Sequence, residues 1–171
     1  MPIPKKLVSY LTNKSLHHEI VPHKTVYTAF DVAATLRVPL TAIAKVLLLK
    51  SDKGFLIAVL SAGHLLDMKK IAKLAGAKKI RIPSEKELWA FLKKKKAALT
   101  SFGGYHKVPV FLDTKFSKNI HGFFPSGSFT ESFRILLKHF VLAEKPTSGA
   151  FSIVRKKKIK KKTKKAIKKK R

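Results

Sequence analysis

No cysteine occurs in this 171-residue chain, which excludes disulfides, thiolate metal sites and cysteine nucleophiles together. Acid is nearly as scarce: nine Asp and Glu stand against 38 Lys and Arg, for a net charge of +29. A surface so basic says little about fold but much about partners, because it concentrates polyanions around itself with strong salt dependence. Long apolar runs are missing too. No stretch approaches the roughly 18 uninterrupted apolar residues that a membrane span needs. Met1-Pro2-Ile3-Pro4-Lys5-Lys6 lacks the apolar run and small-residue cleavage site of a secretory signal. These absences lead us to expect a soluble cytoplasmic protein whose partner is nucleic acid and not a membrane. The polybasic segment carries no lipidation signal or sizeable apolar face that would favour a bilayer.

Familiar catalytic signatures are absent as well. The sequence holds no GxxxxGK[ST] phosphate loop, no GxGxxG, and no HExxH, GxSxG or SxxK. Seven histidines occur, but His17 and His18 are adjacent and the rest are scattered. With few carboxylates beside them, no metal and no cofactor is expected. The acids Glu19, Asp31, Asp52, Asp67, Glu85, Glu87, Asp113, Glu131 and Glu144 give no obvious acid–base pair, and several are accounted for by caps and turns. An enzyme built on this chain does not depend on an evident protein nucleophile.

What is present is a normal complement of core-forming residues, 45% hydrophobic, followed by an abrupt change of composition. Residues 151–171 contain 13 Lys and Arg and no acid, which leaves 25 basic and 9 acidic residues, net +16, in 1–150. Within Arg155–Arg171 only Ile159, Thr163, Ala166 and Ile167 are not basic, too few apolar groups to offset the entropy of ordering. Pro146-Thr147-Ser148-Gly149 reads as a hinge. The expected organisation is one domain over 1–145 and a flexible Lys-rich tail over 146–171. The residues Arg155, Lys156, Lys157, Lys158, Lys160, Lys161 and Lys162 of that tail are candidates for RNA contact.

The body reads as α+β, a mixed sheet flanked by helices. Leu7, Val8 and Leu11 lie at helical spacing in Lys5–Thr12. Glu19-Ile20-Val21, stopped by Pro22, suits a strand. Thr28 caps a helix over Ala29–Leu36, and Pro39–Ala44 opens a further helical turn. Lys45–Lys50 and Phe55–Leu60 form a hairpin around Ser51-Asp52-Lys53-Gly54. Asp67 caps a helix that ends at Gly76. Ile80-Arg81-Ile82 is a short strand, and Ser84 with Glu87 makes a capping box before Leu88–Leu92. Strands follow at Val108–Leu112, Phe123–Gly127 and Ser132–Leu137, then a helix through Leu136–Ala143.

Three local features suggest chemistry. Lys45 shares a strand face with Leu47 and Leu49, so its ammonium enters or skirts an apolar surface; a strand-end lysine snorkelling to water fits the same pattern. The loop Leu99-Thr100-Ser101-Phe102-Gly103-Gly104-Tyr105 has two glycines whose N–H groups could hold a carbonyl or phosphate oxygen, or it is an ordinary connector. The turn Pro125-Ser126-Gly127-Ser128 offers the same alternatives.

Taken in order these features resemble the YbaK and prolyl-tRNA synthetase insertion-domain family of aminoacyl-tRNA deacylases, from about Leu16 to Leu137. The resemblance is carried by His23 with Tyr27-Thr28-Ala29, Val38-Pro39-Leu40, Ala44-Lys45-Val46-Leu47-Leu48-Leu49 and Ile57-Ala58-Val59-Leu60. Leu66-Asp67-Met68-Lys69-Lys70, Leu74-Ala75-Gly76-Ala77-Lys78, Phe102-Gly103 and Val108-Pro109-Val110-Phe111-Leu112-Asp113 continue it. It implies a single YbaK-like domain that hydrolyses the ester of mischarged tRNA bearing a small noncognate amino acid such as alanine, cysteine or serine. The partner is then the aminoacylated 3′ end of tRNA, with an aminoacyl-tRNA synthetase as a second candidate.

The resemblance also implies roles. Lys45 falls on the family's functional lysine, which engages the terminal nucleotide. Gly103 and Gly104 would stabilise the oxyanion through their amides, with water as nucleophile. His23, Thr28, Thr100, Ser101, Phe102, Gly127 and Ser128 would bind substrate. Two positions depart from the family's usual residues: Ser101, where proline is common, and Ser132 with Glu131 beside it, where some members have aspartate. The alternative from another functional class is a non-catalytic RNA- or ribosome-binding module on the same fold.

Overall fold

Leu7 and Leu11, four residues apart, are fully buried along one face of helix α1 (Lys5–Asn13), the spacing that puts side chains one above the other. In a computed structural model of the chain, which describes residues 2–92 and 99–154, this helix covers a core shared by two sheets. Strand β1 (Glu19–Pro22) leads to helix α2 (Ala29–Leu36). The start of α2 is fixed by a complete capping box: Thr28 Oγ1 accepts the Asp31 N–H at 3.2 Å, and the Asp31 carboxylate accepts the Thr28 N–H at 3.2 Å. Its end is fixed by Arg37 in the left-handed conformation, φ 54°. A 3-10 turn, Leu40–Ala42, then enters the central hairpin.

That hairpin pairs β2 (Ala44–Ser51) with β3 (Gly54–Ser61) in unbroken register from Ala44↔Ser61 to Ser51↔Gly54. Gly54 has φ +115°, which only glycine adopts cheaply. Strand β4 (His64–Leu66), helix α3 (Met68–Leu74), strand β5 (Ile80–Arg81) and helix α4 (Glu85–Phe91) follow. Both helices start on the expected caps, Asp67 and Ser84. Then come α5 (Gly103–His106), β6 (Val110–Asp113), α6 (Thr114–Ser117), β7 (His121–Pro125), β8 (Glu131–Leu136) and α7 (Leu137–Glu144). Strands β9 (Thr147–Gly149) and β10 (Ser152–Val154) end the described chain.

The main sheet has the order β5-β2-β3-β6-β9, and a second, antiparallel sheet has the order β1-β8-β7. β2 runs antiparallel to both neighbours, whereas β3–β6 and β6–β9 are parallel, so the sheet is mixed and the architecture is α+β. One core lies between the two sheets and is built around Phe102, Phe124, Phe133 and Phe140. A second, on the other face of the main sheet, gathers Leu49, Leu60, Ile71 and Phe151. Among the described residues no helix is long and apolar enough to cross a membrane.

The expected boundary between body and tail at 145/146 falls too early. β9 lies parallel to β6, and β10 pairs with β4 through Ser152↔Leu66 and Val154↔His64. Phe151 between them is fully buried, and burying such a ring contributes roughly 1.5–3 kcal/mol. The turn-like composition of 146–149 therefore hides a sheet edge strand, and paired strand continues to Val154, the last described residue. Arg155–Arg171, including every basic residue proposed for RNA contact, lies outside the described residues.

Candidate active site

A cavity of about 500 Å³ opens beside β2, walled by that strand, by β7, by the start of α2 and by the connection from β5 to α4. Its existence follows from strand pairing. The Ala62 N–H donates to the Ile43 carbonyl at 2.9 Å, which sets the alternation of the β2–β3 ladder. Ile43, Lys45, Leu47 and Leu49 spend their main-chain groups on β3, while Ala44, Val46 and Leu48 turn theirs to the opposite edge. At that edge β5 pairs with β2 only through Lys50↔Arg81 and Ser51↔Ile80. Extending the ladder needs a donor at position 83, and Pro83 has none. At the other end Ile43 bridges to Phe123. Between Pro83 and that bridge the N–H and C=O of Val46 face the cavity, with no strand across them among the described residues.

Most of the lining is apolar, from Val26, Val46, Leu88, Leu99 and Phe129 among others; the polar side chains are those of His23, Tyr27, Thr28, Lys45, Ser128 and Ser132. No carboxylate lines the cavity among the described residues. Lys45 stands on β2 and donates its ammonium to the main-chain carbonyl of His64 on β4. Its half-buried stem runs along the apolar face while the head finds an acceptor.

His23 is held at both ring nitrogens: Nδ1 lies 2.8 Å from the Lys24 carbonyl oxygen, and Nε2 lies 2.9 Å from Ser132 Oγ. Thr28 reaches the wall, although its hydroxyl is engaged by Asp31, to which it donates at 2.7 Å. Ser128 Oγ accepts the Thr130 N–H at 3.1 Å. Tyr27 is 77% exposed at the rim, its ring 5.3 Å from that of Phe129.

The glycine loop stands elsewhere. None of Thr100, Ser101, Phe102, Gly103 and Gly104 lines the cavity. Phe102 is fully buried in the first core, edge-on to Phe133 at 6.1 Å. Thr100 Oγ1 is 2.8 Å from His106 Nε2, and burial pushes the His106 imidazole down to about 4. Ser101 Oγ is buried without a hydrogen-bond partner among the described residues.

A side chain on Gly103 would collide with Val110 and the Val108 carbonyl, and one on Gly104 with the Tyr10 hydroxyl. The Gly104 N–H is already donated, to Glu144 at 3.2 Å. At both positions the backbone comes close to other protein, and neither glycine is among the described residues lining the cavity. Gly127, with φ +87°, packs against Pro4 and shapes the turn that carries Ser128.

Sequence reasoning missed the open edge of β2, the Ser132 contact to His23, and the Ile82-Pro83 wall. Pro83 directly after a short strand was the available signal for the edge. Among the described residues no group of three or more His, Asp or Glu is arranged to hold a metal.

The model of the aminoacyl-tRNA editing domain matches residues 23–141, which include every described residue lining the cavity. The chain belongs to the aminoacyl-tRNA editing domain family. Solved structures share the fold of this editing domain. A candidate trans-editing enzyme for prolyl-tRNA synthetase superposes with TM-score 0.73 at 20% identity, covering 90% of this chain and 98% of its own. A scaffold protein used for computational epitope grafting gives 0.75 at 17% identity, with coverages of 91% and 99%. A candidate signal transduction protein from Marinobacter aquaeolei gives 0.70 at 16% identity; 89% of this chain matches only 31% of that one, so there the fold is one module of a longer protein. No curated protein matches the sequence.

Proposed function

We propose that this editing domain is an aminoacyl-tRNA deacylase acting in trans, which hydrolyses the ester of tRNA mischarged with alanine, cysteine or serine. The observation that supports the reading is that Lys45, which the sequence resemblance matches to the family's functional lysine, stands in the wall of the cavity with His23, Thr28 and Ser128. An ammonium on a rigid strand is a point charge for the terminal phosphate. The exposed ring of Tyr27 offers a stacking surface for the terminal base. Apolar walls exclude bulk water from the reacting ester and leave room for a small amino acid. The Gly104 N–H is donated to Glu144, whereas the ladder alternation turns the Val46 N–H to the open edge of β2, where it is available to a developing oxyanion.

A tRNA substrate fits a cytoplasmic protein, and likeness to a candidate trans-editing enzyme for prolyl-tRNA synthetase makes proline tRNA the first substrate to test. Purified protein is incubated with a panel of mischarged tRNAs and loss of the aminoacyl ester is followed, with Lys45→Ala alongside. Hydrolysis of one or a few pairs, slowed on the order of 100-fold in the variant, supports the reading; an unchanged rate removes Lys45 from it.

The absence of Thr100–Gly104 from the described cavity lining favours a second reading, an RNA- or ribosome-binding module without catalysis. Under that reading no pair is hydrolysed, Lys45→Ala matters little, and RNA affinity resides in 155–171.

A further inference from the structure

Ser132 and His23 form a hydrogen-bonded pair whose direction can be assigned. The Lys24 carbonyl oxygen, 2.8 Å from His23 Nδ1, can only accept, so Nδ1 carries the proton. In the neutral ring Nε2 is then an acceptor, and the Ser132 hydroxyl 2.9 Å away donates to it. With its single proton committed, Ser132 Oγ keeps only acceptor lone pairs. Both residues line the cavity, and Ser132 is 4% exposed, so those lone pairs have few competing waters.

An aminoacyl ester brings an α-ammonium, a donor of three hydrogen bonds, into a cavity whose wall includes Lys45 and has no carboxylate in its described lining. Acceptors must come from neutral groups. The neutral acceptors of the described lining include Ser132 Oγ and the carbonyls that the ladder alternation directs to the open edge of β2 at Ala44 and Val46. We propose that Ser132, held in acceptor orientation by His23, receives the α-ammonium of the aminoacyl ester and makes the site selective for a free over a blocked α-amino group. Ser132 is thus a specificity-determining residue and His23 a positioning residue. The inference rests on the editing reading for the identity of the ligand.

Binding of a non-hydrolysable ligand tests it apart from turnover. The full chain is titrated with 3′-alanylamino-3′-deoxyadenosine and with its N-acetyl derivative. The free amine is expected to bind about 10- to 100-fold more tightly, the range for a hydrogen bond to a charged group. Ser132→Ala should abolish that preference while leaving the affinity for the acetylated ligand within about twofold, and Ser132→Thr, which keeps the hydroxyl, should retain it. A merely structural serine would change both ligands alike. Wild-type protein that does not discriminate, that binds neither ligand, or whose preference survives Ser132→Ala overturns the proposal. Failure of the editing reading shows separately, as no hydrolysis of any mischarged tRNA by the wild type.

Discussion

The carboxylate of Asp113 accepts the main-chain N–H of Phe151 at 2.9 Å, and the same oxygen accepts that of Ser152 at the same distance. Its other oxygen accepts the Ser152 hydroxyl at 2.9 Å and the Lys115 N–H at 3.0 Å. Asp113 is fully buried, so these four donors are what make the burial of its carboxylate tolerable. Asp113→Ala strands them and should cost about 3 kcal/mol or more in urea unfolding, with early proteolysis within 146–154. A loss below about 0.5 kcal/mol, the range of ordinary surface changes, would show that β9 and β10 do not hang on this residue.

Gly104→Ala separates packing from catalysis. A methyl group there strikes the Tyr10 hydroxyl, which donates to Glu144 at 2.7 Å. Overpacking of this kind costs about 1–3 kcal/mol, so the midpoint of unfolding should fall while turnover per folded molecule holds. An amide serving an oxyanion would give the reverse, stability intact and kcat down about 100- to 1,000-fold.

The features legible from sequence are those decided locally. Thr28 with Asp31 and Ser84 with Glu87 are close along the chain, and both capping boxes form as the spacing requires. The β2–β3 hairpin follows from two apolar runs around a four-residue turn. Lys45 lines the cavity and its ammonium donates to the His64 carbonyl, an acceptor distant in sequence that the local pattern could not supply. Hidden features depend on partners distant in sequence. Thr147–Gly149 looks like a hinge until Phe111, Leu112 and Asp113 supply its ladder. The close approach of Gly103 to Val110 and of Gly104 to Tyr10 cannot be read from the loop's own composition. The cavity itself is made by an absence, the donor that Pro83 lacks.

His106 should make the fold acid-sensitive. Burial lowers its folded-state value from 6.5 to about 4, so between those limits the unfolded chain binds more protons than the folded one and stability rises with pH. The contribution is complete above about 6.5 and is lost as pH falls to about 4. The group is part-buried, and after solvent screening the loss should be about 2 kcal/mol. His106→Gln can still hydrogen-bond Thr100 but does not titrate. Its unfolding free energy should fall less than the wild type's between pH 7 and pH 4.5, and parallel losses would assign the acid sensitivity to other groups.

The charge distribution makes a prediction about RNA that concerns residues beyond Val154. Residues 155–171 carry 13 basic side chains and no acid, while 1–150 alone carry +16. Each phosphate neutralised adds about 0.7–0.9 to the slope of log affinity against log salt. Deleting 155–171 should therefore make that slope shallower by several units and weaken tRNA binding at low salt far more than at high salt. The single-turnover rate at saturating tRNA should stay near the wild-type value, because the described lining of the cavity, Lys45 included, comes from residues before 133. An unchanged slope would place the RNA-binding charge on the body. A collapsed saturating rate with the slope preserved would mean that the basic segment acts at the cavity and not on the phosphate backbone.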